Sequence, residues 1–189
     1  MTESPTPYVL DADTMTGGMR PIRQAVLALG SNLGERRERL QSAVAALEDT
    51  PEVTIVAVSS VYETEPLDAP AGSGSFLNAV VLLDTTLPAR VLLDRAQAIE
   101  TAFGRERSGV ANAPRTLDVD LVVVGDRRAD DATLVLPHPR AHERAFVLLP
   151  WAEVDPGAEL PGTGSVAELS AKVGTEGVVR RDDLALETR

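Results

Sequence analysis

Two aspartates, Asp118 and Asp120, stand two residues apart in the segment PRTLDVDL, residues 114–121. If this segment is a β-strand, both carboxylates point to one face, with Cα atoms about 6.6 Å apart, and the intervening apolar side chains point to the other. Like charges on one strand face repel, so their pairing needs a reason. A solvated face of an antiparallel strand is one explanation. A Mg²⁺ ion, which is held by one or two carboxylates together with substrate phosphates, is the other. The strand alone leaves both open.

Three arginines near these aspartates could contact phosphate groups. Arg105, Arg107 and Arg115 precede the pair, and guanidinium forks match phosphate oxygens. Each arginine alone fits a solvated loop better, but cations beside a candidate Mg²⁺ site together indicate a nucleotide polyphosphate. Gln97 and Glu100 lie three residues apart on a predicted helix, where ordinary surface polarity is the simpler interpretation.

Other polar and aromatic residues are weaker candidates. His138 is one of two histidines in a chain without cysteine, which leaves too few ligands for a zinc site. Asn78 lies in a strand rich in Val and Leu, where a buried amide needs a partner. Phe76 and Phe146 are by general tendency core residues. The GSNLG segment (30–34) offers backbone N–H groups to an anion, although helix capping and tight packing are its more common roles. No G-x-x-x-x-G-K-[ST] motif is present, which excludes a P-loop kinase.

Composition narrows the functional class. The 189 residues suit one domain, and 43% hydrophobic residues allow a substantial core. A net charge of −11 argues against nucleic acid or an anionic membrane as a partner. The sequence has no long apolar run and no signal-peptide pattern at its start. We therefore expect a cytoplasmic enzyme or a binding domain.

The sequence predicts secondary-structure elements in the order β-α-β-β-α-β. We expect a flexible leader over residues 1–22 and a single domain over residues 23–189. The first helix is expected to take its N-cap from Ser31 or Asn32, and a second strand covers 53–64. The element order predicts an α+β fold: a ferredoxin-like βαββαβ core with helices on one face of an antiparallel sheet, plus a C-terminal extension. That extension is expected to contain one short helix near Val166–Lys172.

Five segments occur in an order that resembles the 6-hydroxymethyl-7,8-dihydropterin pyrophosphokinases of the folate pathway. They are ALGSNLG, SSVYETEP, FLNAVV, GRERSGVANAPRTLDVDL and LPHPRAHERAFVLLP, and the resemblance spans about residues 24–156. It implies a ferredoxin-like enzyme that moves pyrophosphate from ATP to the hydroxymethyl oxygen of the pterin and releases AMP. It also suggests a functional link to neighbouring folate-pathway enzymes.

The resemblance implies a role for each matching residue. Asp118 and Asp120 would hold two Mg²⁺ ions that bridge the ATP phosphates. Residues that would contact ATP are Gln97, Glu100, Arg107, Arg115, Leu121, His138 and Arg144. Residues that would bind the pterin, the two phenylalanines by stacking, are Thr64, Leu67, Phe76, Asn78 and Phe146. Residues that would assist transfer by charge and positioning are Arg105, Arg107 and Arg115.

The chain departs from the family pattern at several positions. Many members carry Arg-Trp where this chain has Ala111 and Asn112, and a proline is common where it has Glu65. Thr133 and Val135 replace polar ATP contacts of some members. These departures keep a second hypothesis open, a non-catalytic ferredoxin-like ligand-binding module. A third is a simple kinase that forms ADP, which the identity of the nucleotide product would distinguish.

Overall fold

The computed structural model describes residues 20–65, 74–104 and 116–189. Within these ranges the strands are β1 (Arg23–Ser31), β2 (Val53–Val58), β3 (Tyr62–Thr64), β4 (Phe76–Thr85), β5 (Asp118–Val124), β6 (Ala129–Asp130), β7 (Val135–Leu136), β8 (Glu159–Leu160), β9 (Gly164–Ser165) and β10 (Val178–Arg180). The helices are α1 (Arg36–Glu48), α2 (Ala89–Ala102), α3 (Ala145–Val154) and α4 (Val166–Val173), with a 3-10 turn at Ala141–Glu143. Most of the predicted leader lies outside the described residues.

The main sheet has the strand order β10-β3-β4-β1-β5, with β2 also paired to β4. Strand β1 lies between β4 and β5 and is antiparallel to both. Strands β2 and β3 follow one another along β4, so together they form the second strand predicted for residues 53–64, interrupted at 59–61. This antiparallel arrangement confirms the predicted α+β, ferredoxin-like core.

Side-chain alternation along the strands separates the core into two clusters. Ala25, Leu27 and Leu29 of β1 point to the face covered by α1 and α2, here called the α1/α2 face. Val26 and Ala28 point to the opposite face, here called the α3 face, where α3 and α4 pack. The two helices of the core lie on one face as predicted, and the C-terminal extension supplies the helices that cover the other.

The predicted N-cap of the first helix is wrong. Strand β1 continues through Ser31, whose hydroxyl donates a hydrogen bond to the Thr116 carbonyl at 2.7 Å. Helix α1 begins later, at Arg36, with Glu35 at the N-cap position and no capping side-chain hydrogen bond. Pairing of Ser31 with Leu77 of β4 keeps the backbone extended where local preference alone favours a cap. Helix α4, in contrast, begins where the sequence predicts. Across the described ranges, every helix is too short or too polar to cross a membrane.

Candidate active site

Asp118 and Asp120 lie on the α3 face near one end of the sheet. Their register partners on β1 are Gly30 and Ala28, respectively. The residue between them, Val119, is buried in the cluster on the opposite face, which confirms the predicted alternation of β5. Since α3 covers much of this face, the aspartates do not lie on an open outer surface, and the Asp120 side chain is only 32% exposed.

Gly30 is the centre of the group of candidate residues on this face. A Cβ atom placed on Gly30 would lie 3.4 Å from Asn78 Oδ1 and 3.8 Å from both Asp118 Cβ and Phe76 Cδ1. Strands β1, β4 and β5 therefore bring an amide, a carboxylate and an aromatic ring to one small area. The absent side chain of Gly30 leaves that area open, a role that neither interpretation of the GSNLG segment anticipates.

Asn78 is buried and its amide orientation is fixed by strand β3. Its Nδ2 donates to Thr64 Oγ1 at 2.9 Å and, over a longer 3.4 Å, to the Tyr62 carbonyl. The predicted need for a partner is confirmed. Because Nδ2 is used in this way, Oδ1 is the atom turned towards Gly30, where it is available as a hydrogen-bond acceptor for a ligand.

Arg144 connects Asp120 to an aromatic ring. Its Nη1 lies 3.2 Å from Asp120 Oδ2, and its guanidinium carbon lies 5.5 Å from the centre of the Phe146 ring, a cation–π distance. His138 Nε2 is 3.8 Å from the same Asp120 oxygen. Burial lowers the pKa of His138, the Asp120 carboxylate opposes this, and the charge of Arg144 reinforces it. The geometry therefore favours a neutral imidazole beside Asp120.

A cavity of about 400 Å³ adjoins Asp120 between α2, β5 and the segment after β6. Its volume lies within the range of small-molecule sites. The cavity is lined by Leu93, Gln97, Glu100, Val119, Asp120, Leu121, Thr133, Leu134, Val135, His138 and Pro139. Four residues implied to contact ATP, on α2, on β5 and before the 3-10 turn, thus meet in one place.

Glu100 is not part of a solvated helix surface, so that simpler interpretation is wrong for this residue. Its side chain is buried, and its Oε1 accepts a hydrogen bond from the Val119 backbone N–H at 2.8 Å. The bond joins α2 to the point on β5 between the two aspartates. Spacing along the helix could not reveal it, because the partner is a backbone group of a distant strand.

The carboxylate pair is chemically suited to magnesium. Both side chains offer hard oxygen donors, and Mg²⁺ is commonly bound by one or two carboxylates with phosphates and water completing its shell. The part of the chain that the structure describes contains no group of three or more His, Cys, Asp or Glu side chains arranged for a metal ion. A site of two carboxylates fits Mg²⁺ without a third protein ligand.

Several predicted residues cannot be located relative to this site. Those outside the described residues are Leu67, Arg105, Arg107, Ala111, Asn112 and Arg115. Their roles stay predictions.

A polar network that the sequence did not reveal fixes α3 against the sheet. The Tyr62 hydroxyl donates to Glu153 Oε2 at 2.7 Å, while Ser60 donates to Oε1 through its hydroxyl and its backbone N–H. Burial, with the hydrogen bond to Glu153, raises the pKa of Tyr62 to about 12. The network holds the last turn of α3 against β3 and the residue Ser60 before it.

The chain is similar to a named family and to proteins in several bacteria. Residues 26–156 match the profile described as 7,8-dihydro-6-hydroxymethylpterin-pyrophosphokinase (HPPK). A protein of Pseudomonas aeruginosa named 2-amino-4-hydroxy-6-hydroxymethyldihydropteridine pyrophosphokinase is 43% identical over 159 residues, which are 84% of this chain and 97% of that protein. A protein of the same name from Mycobacterium bovis is 44% identical over 75% of this chain and 77% of its own length. Another from Bacillus subtilis is 40% identical over 82% of this chain and 87% of its own length.

Solved structures support the same architecture. The crystal structure of Plasmodium falciparum HPPK-DHPS wild type with SDX-DHP matches 86% of this chain with a TM-score of 0.66 and 14% sequence identity. This chain spans 48% of the length of that one, about half. At this identity the likeness shows the fold.

Proposed function

The chain belongs to the 7,8-dihydro-6-hydroxymethylpterin-pyrophosphokinase family, and on that basis we propose how its residues perform the reaction. It is an enzyme, a pyrophosphokinase of folate biosynthesis, whose family uses ATP as co-substrate. The proposed reaction transfers pyrophosphate from ATP to the hydroxymethyl oxygen of 6-hydroxymethyl-7,8-dihydropterin and releases AMP. The observation that carries the proposal is the meeting of Asn78, Phe76 and Asp118 around Gly30.

We propose that the pterin binds over Gly30. Phe76 and Phe146 are half-buried, whereas most large apolar side chains in the described ranges are fully buried, so both rings have surface available for stacking. Asn78 Oδ1 would accept hydrogen bonds from the polar edge of the ring, and main-chain groups of Thr64 and Leu67 would complete the pocket. Fixing the Asn78 amide through Thr64 favours one orientation of the ligand.

We propose that ATP occupies the cavity beside Asp120. Gln97, Glu100, Leu121 and His138 line it, while Arg107, Arg115 and Arg144 would meet the phosphates. Asp118 and Asp120 would hold two Mg²⁺ ions, which when bound neutralise phosphate charge and align the reacting groups. The two aspartates would lie between this cavity and the area over Gly30, the floor on which the pterin is proposed to bind.

Positioning and charge complementarity would carry most of the rate enhancement. Arg144 contacts Asp120 and Phe146, and is thus suited to contact the phosphates next to the pterin. A neutral His138 offers a hydrogen bond without adding positive charge to the cavity. We propose that Arg105, Arg107 and Arg115 supply further positive charge during transfer.

Residues 23–189 are proposed to act as one domain, because β10 pairs with β3 and the residues after it contact α1. A cytoplasmic location is proposed from the requirement for ATP. The similar Plasmodium falciparum protein is named HPPK-DHPS, and this joint name supports a proposed link to a neighbouring folate-pathway enzyme.

A product assay tests the proposed function. The protein is incubated with ATP, Mg²⁺ and 6-hydroxymethyl-7,8-dihydropterin, and AMP and ADP are separated with and without the pterin. Pterin-dependent AMP is the expected result, whereas ADP would indicate a simple kinase. Pterin binding by folded protein without any nucleotide turnover would favour the non-catalytic binding module and overturn the proposal.

A further inference from the structure

The C-terminal segment adds a strand beside the candidate pterin site. Strand β10 pairs antiparallel with β3, so that Val178 is the register partner of Thr64. The backbone N–H of Arg181, the first residue after β10, donates to the Val61 carbonyl at 2.8 Å. This segment follows residue 156, where the match to the family ends, so the family resemblance assigns it no role.

Arg181 also enters a cluster of charged side chains centred on Glu63. Glu63 Oε1 accepts hydrogen bonds from Arg36 Nη1 at 2.9 Å and Ser75 Oγ at 2.6 Å, and Oε2 accepts one from Arg181 Nη1. Arg36 Nη1 donates in addition to the Ser75 carbonyl at 2.7 Å. The Arg36, Glu63 and Arg181 side chains are 25–29% exposed, so these charge-assisted bonds are partly shielded from water.

The geometry keeps Glu63 ionised. The hydrogen bond from Ser75 lowers the pKa of Glu63 to about 2, burial opposes this, and the bonds from Arg36 and Arg181 reinforce it. Glu63 therefore carries its negative charge at neutral pH, which favours the bonds to both arginines.

The cluster is attached to the backbone of two candidate pterin residues without touching the pterin face. Glu63 is adjacent in sequence to Thr64, and Ser75 is adjacent to Phe76. Thr64 and Phe76 are register partners on β3 and β4. The register partner of Glu63 is Leu77, which points to the α1/α2 face. Glu63 is thus on the opposite side of the sheet from Asn78 and Gly30.

We propose that Arg181, acting through Glu63 and Arg36, is a positioning residue for the pterin end of the active site. It fixes the relative position of the strand ends that carry Thr64 and Phe76. The C-terminal segment thereby contributes to pterin affinity without contacting the substrate, and the nucleotide cavity, built on α2 and β5, is independent of it. This inference rests on the proposed function.

Steady-state kinetics of two neighbouring arginine variants in the full chain test the inference. Arg181→Ala removes the bond to Glu63 together with a pair with the exposed Asp183, whereas Arg180→Ala, the control on β10, removes an exposed pair with Asp182 and the positive charge near Glu153. For Arg181→Ala we expect the KM for the pterin to rise about three- to tenfold, the scale of a partly exposed charge interaction. The KM for ATP and kcat should stay within about twofold, and Arg180→Ala should match the wild type.

Two further variants keep the test decisive if Arg181→Ala folds poorly. Arg181→Lys preserves charge and should restore part of the pterin affinity, while Glu63→Gln should reproduce the selective rise in pterin KM. Equal changes in both KM values, a fall in kcat alone, or identical kinetics of the Arg181 and Arg180 variants would overturn the inference. Absence of pterin-dependent AMP from the wild type would instead overturn the proposed function.

Discussion

Replacing Gly30 by alanine tests whether the open area on the α3 face is the pterin site. The added methyl group would meet Asn78 Oδ1 at 3.4 Å and two carbon atoms of Asp118 and Phe76 at 3.8 Å. These are van der Waals separations, and the Gly30 backbone is extended, so we expect the variant to fold. Alanine reduces the freedom of the unfolded chain, which stabilises a compatible position by about 0.4–1 kcal/mol.

The same methyl group would occupy the floor on which the pterin ring is proposed to lie. Inserting a methyl group into a packed contact costs about 1–3 kcal/mol. With about 1.4 kcal/mol per factor of ten, this corresponds to a weakening of pterin binding by roughly 5- to 150-fold. ATP binds beside Asp120 in the proposal, so its KM should change little.

The assay combines thermal unfolding with the KM for each substrate. Gly157→Ala is a matched control, because its added Cβ would also meet only an ordinary contact, at 3.8 Å from Asp155 Oδ1, and it lies outside the candidate site. A Gly30→Ala protein with wild-type stability and an unchanged pterin KM would refute the placement of the pterin over Gly30. A large loss of stability would instead show that the floor is already filled by the protein.

Three further perturbations follow from the site geometry. Asp120→Asn should lower kcat by about 100-fold or more, since several kcal/mol of charge stabilisation would be lost. Its circular dichroism spectrum should stay that of the wild type. Near-normal turnover would refute the assignment of Asp120 as a metal ligand. Glu100→Leu should lower the free energy of unfolding by about 1–3 kcal/mol, because the buried Val119 N–H loses its acceptor. Urea denaturation of this variant is compared with that of Glu100→Gln, which keeps an acceptor oxygen. Equal stability of the two variants would contradict the prediction. Because the pKa of Glu63 is held at about 2, its contribution to stability is present above its ordinary pKa and is lost as the pH falls towards 2. The stability difference between the wild type and Glu63→Gln should therefore shrink from pH 6 to pH 3 in denaturant titrations, and a constant difference would refute this linkage.

Local patterns were sufficient to predict the core elements. The alternation around Asp118 and Asp120 and the Val- and Leu-rich strand that contains Asn78 depend on neighbours in sequence, and both appear as predicted. The order of the sequence motifs indicated the family, and the family resemblance indicated the ATP-contact residues that line the cavity.

Long-range pairing explains what the sequence could not predict. Ser31 is a favourable cap residue, yet the strand continues through it because β4 is available as a partner. Glu100 resembles a surface residue until β5 supplies the Val119 N–H. The Glu63–Arg181 contact joins positions 118 residues apart, and no periodicity connects them.

The position of β1 inside the sheet, between β4 and β5, has a consequence for binding energetics. The backbone beneath the proposed pterin floor is hydrogen-bonded on both sides, to β4 and β5, and such central strands are usually the last to open in native-state hydrogen exchange. A floor of this kind is already ordered before the ligand arrives, so little conformational entropy is lost there on association. The amide protons of Ala28 and Gly30 should accordingly be among the slowest to exchange in the ligand-free protein, with little further protection when the substrates bind.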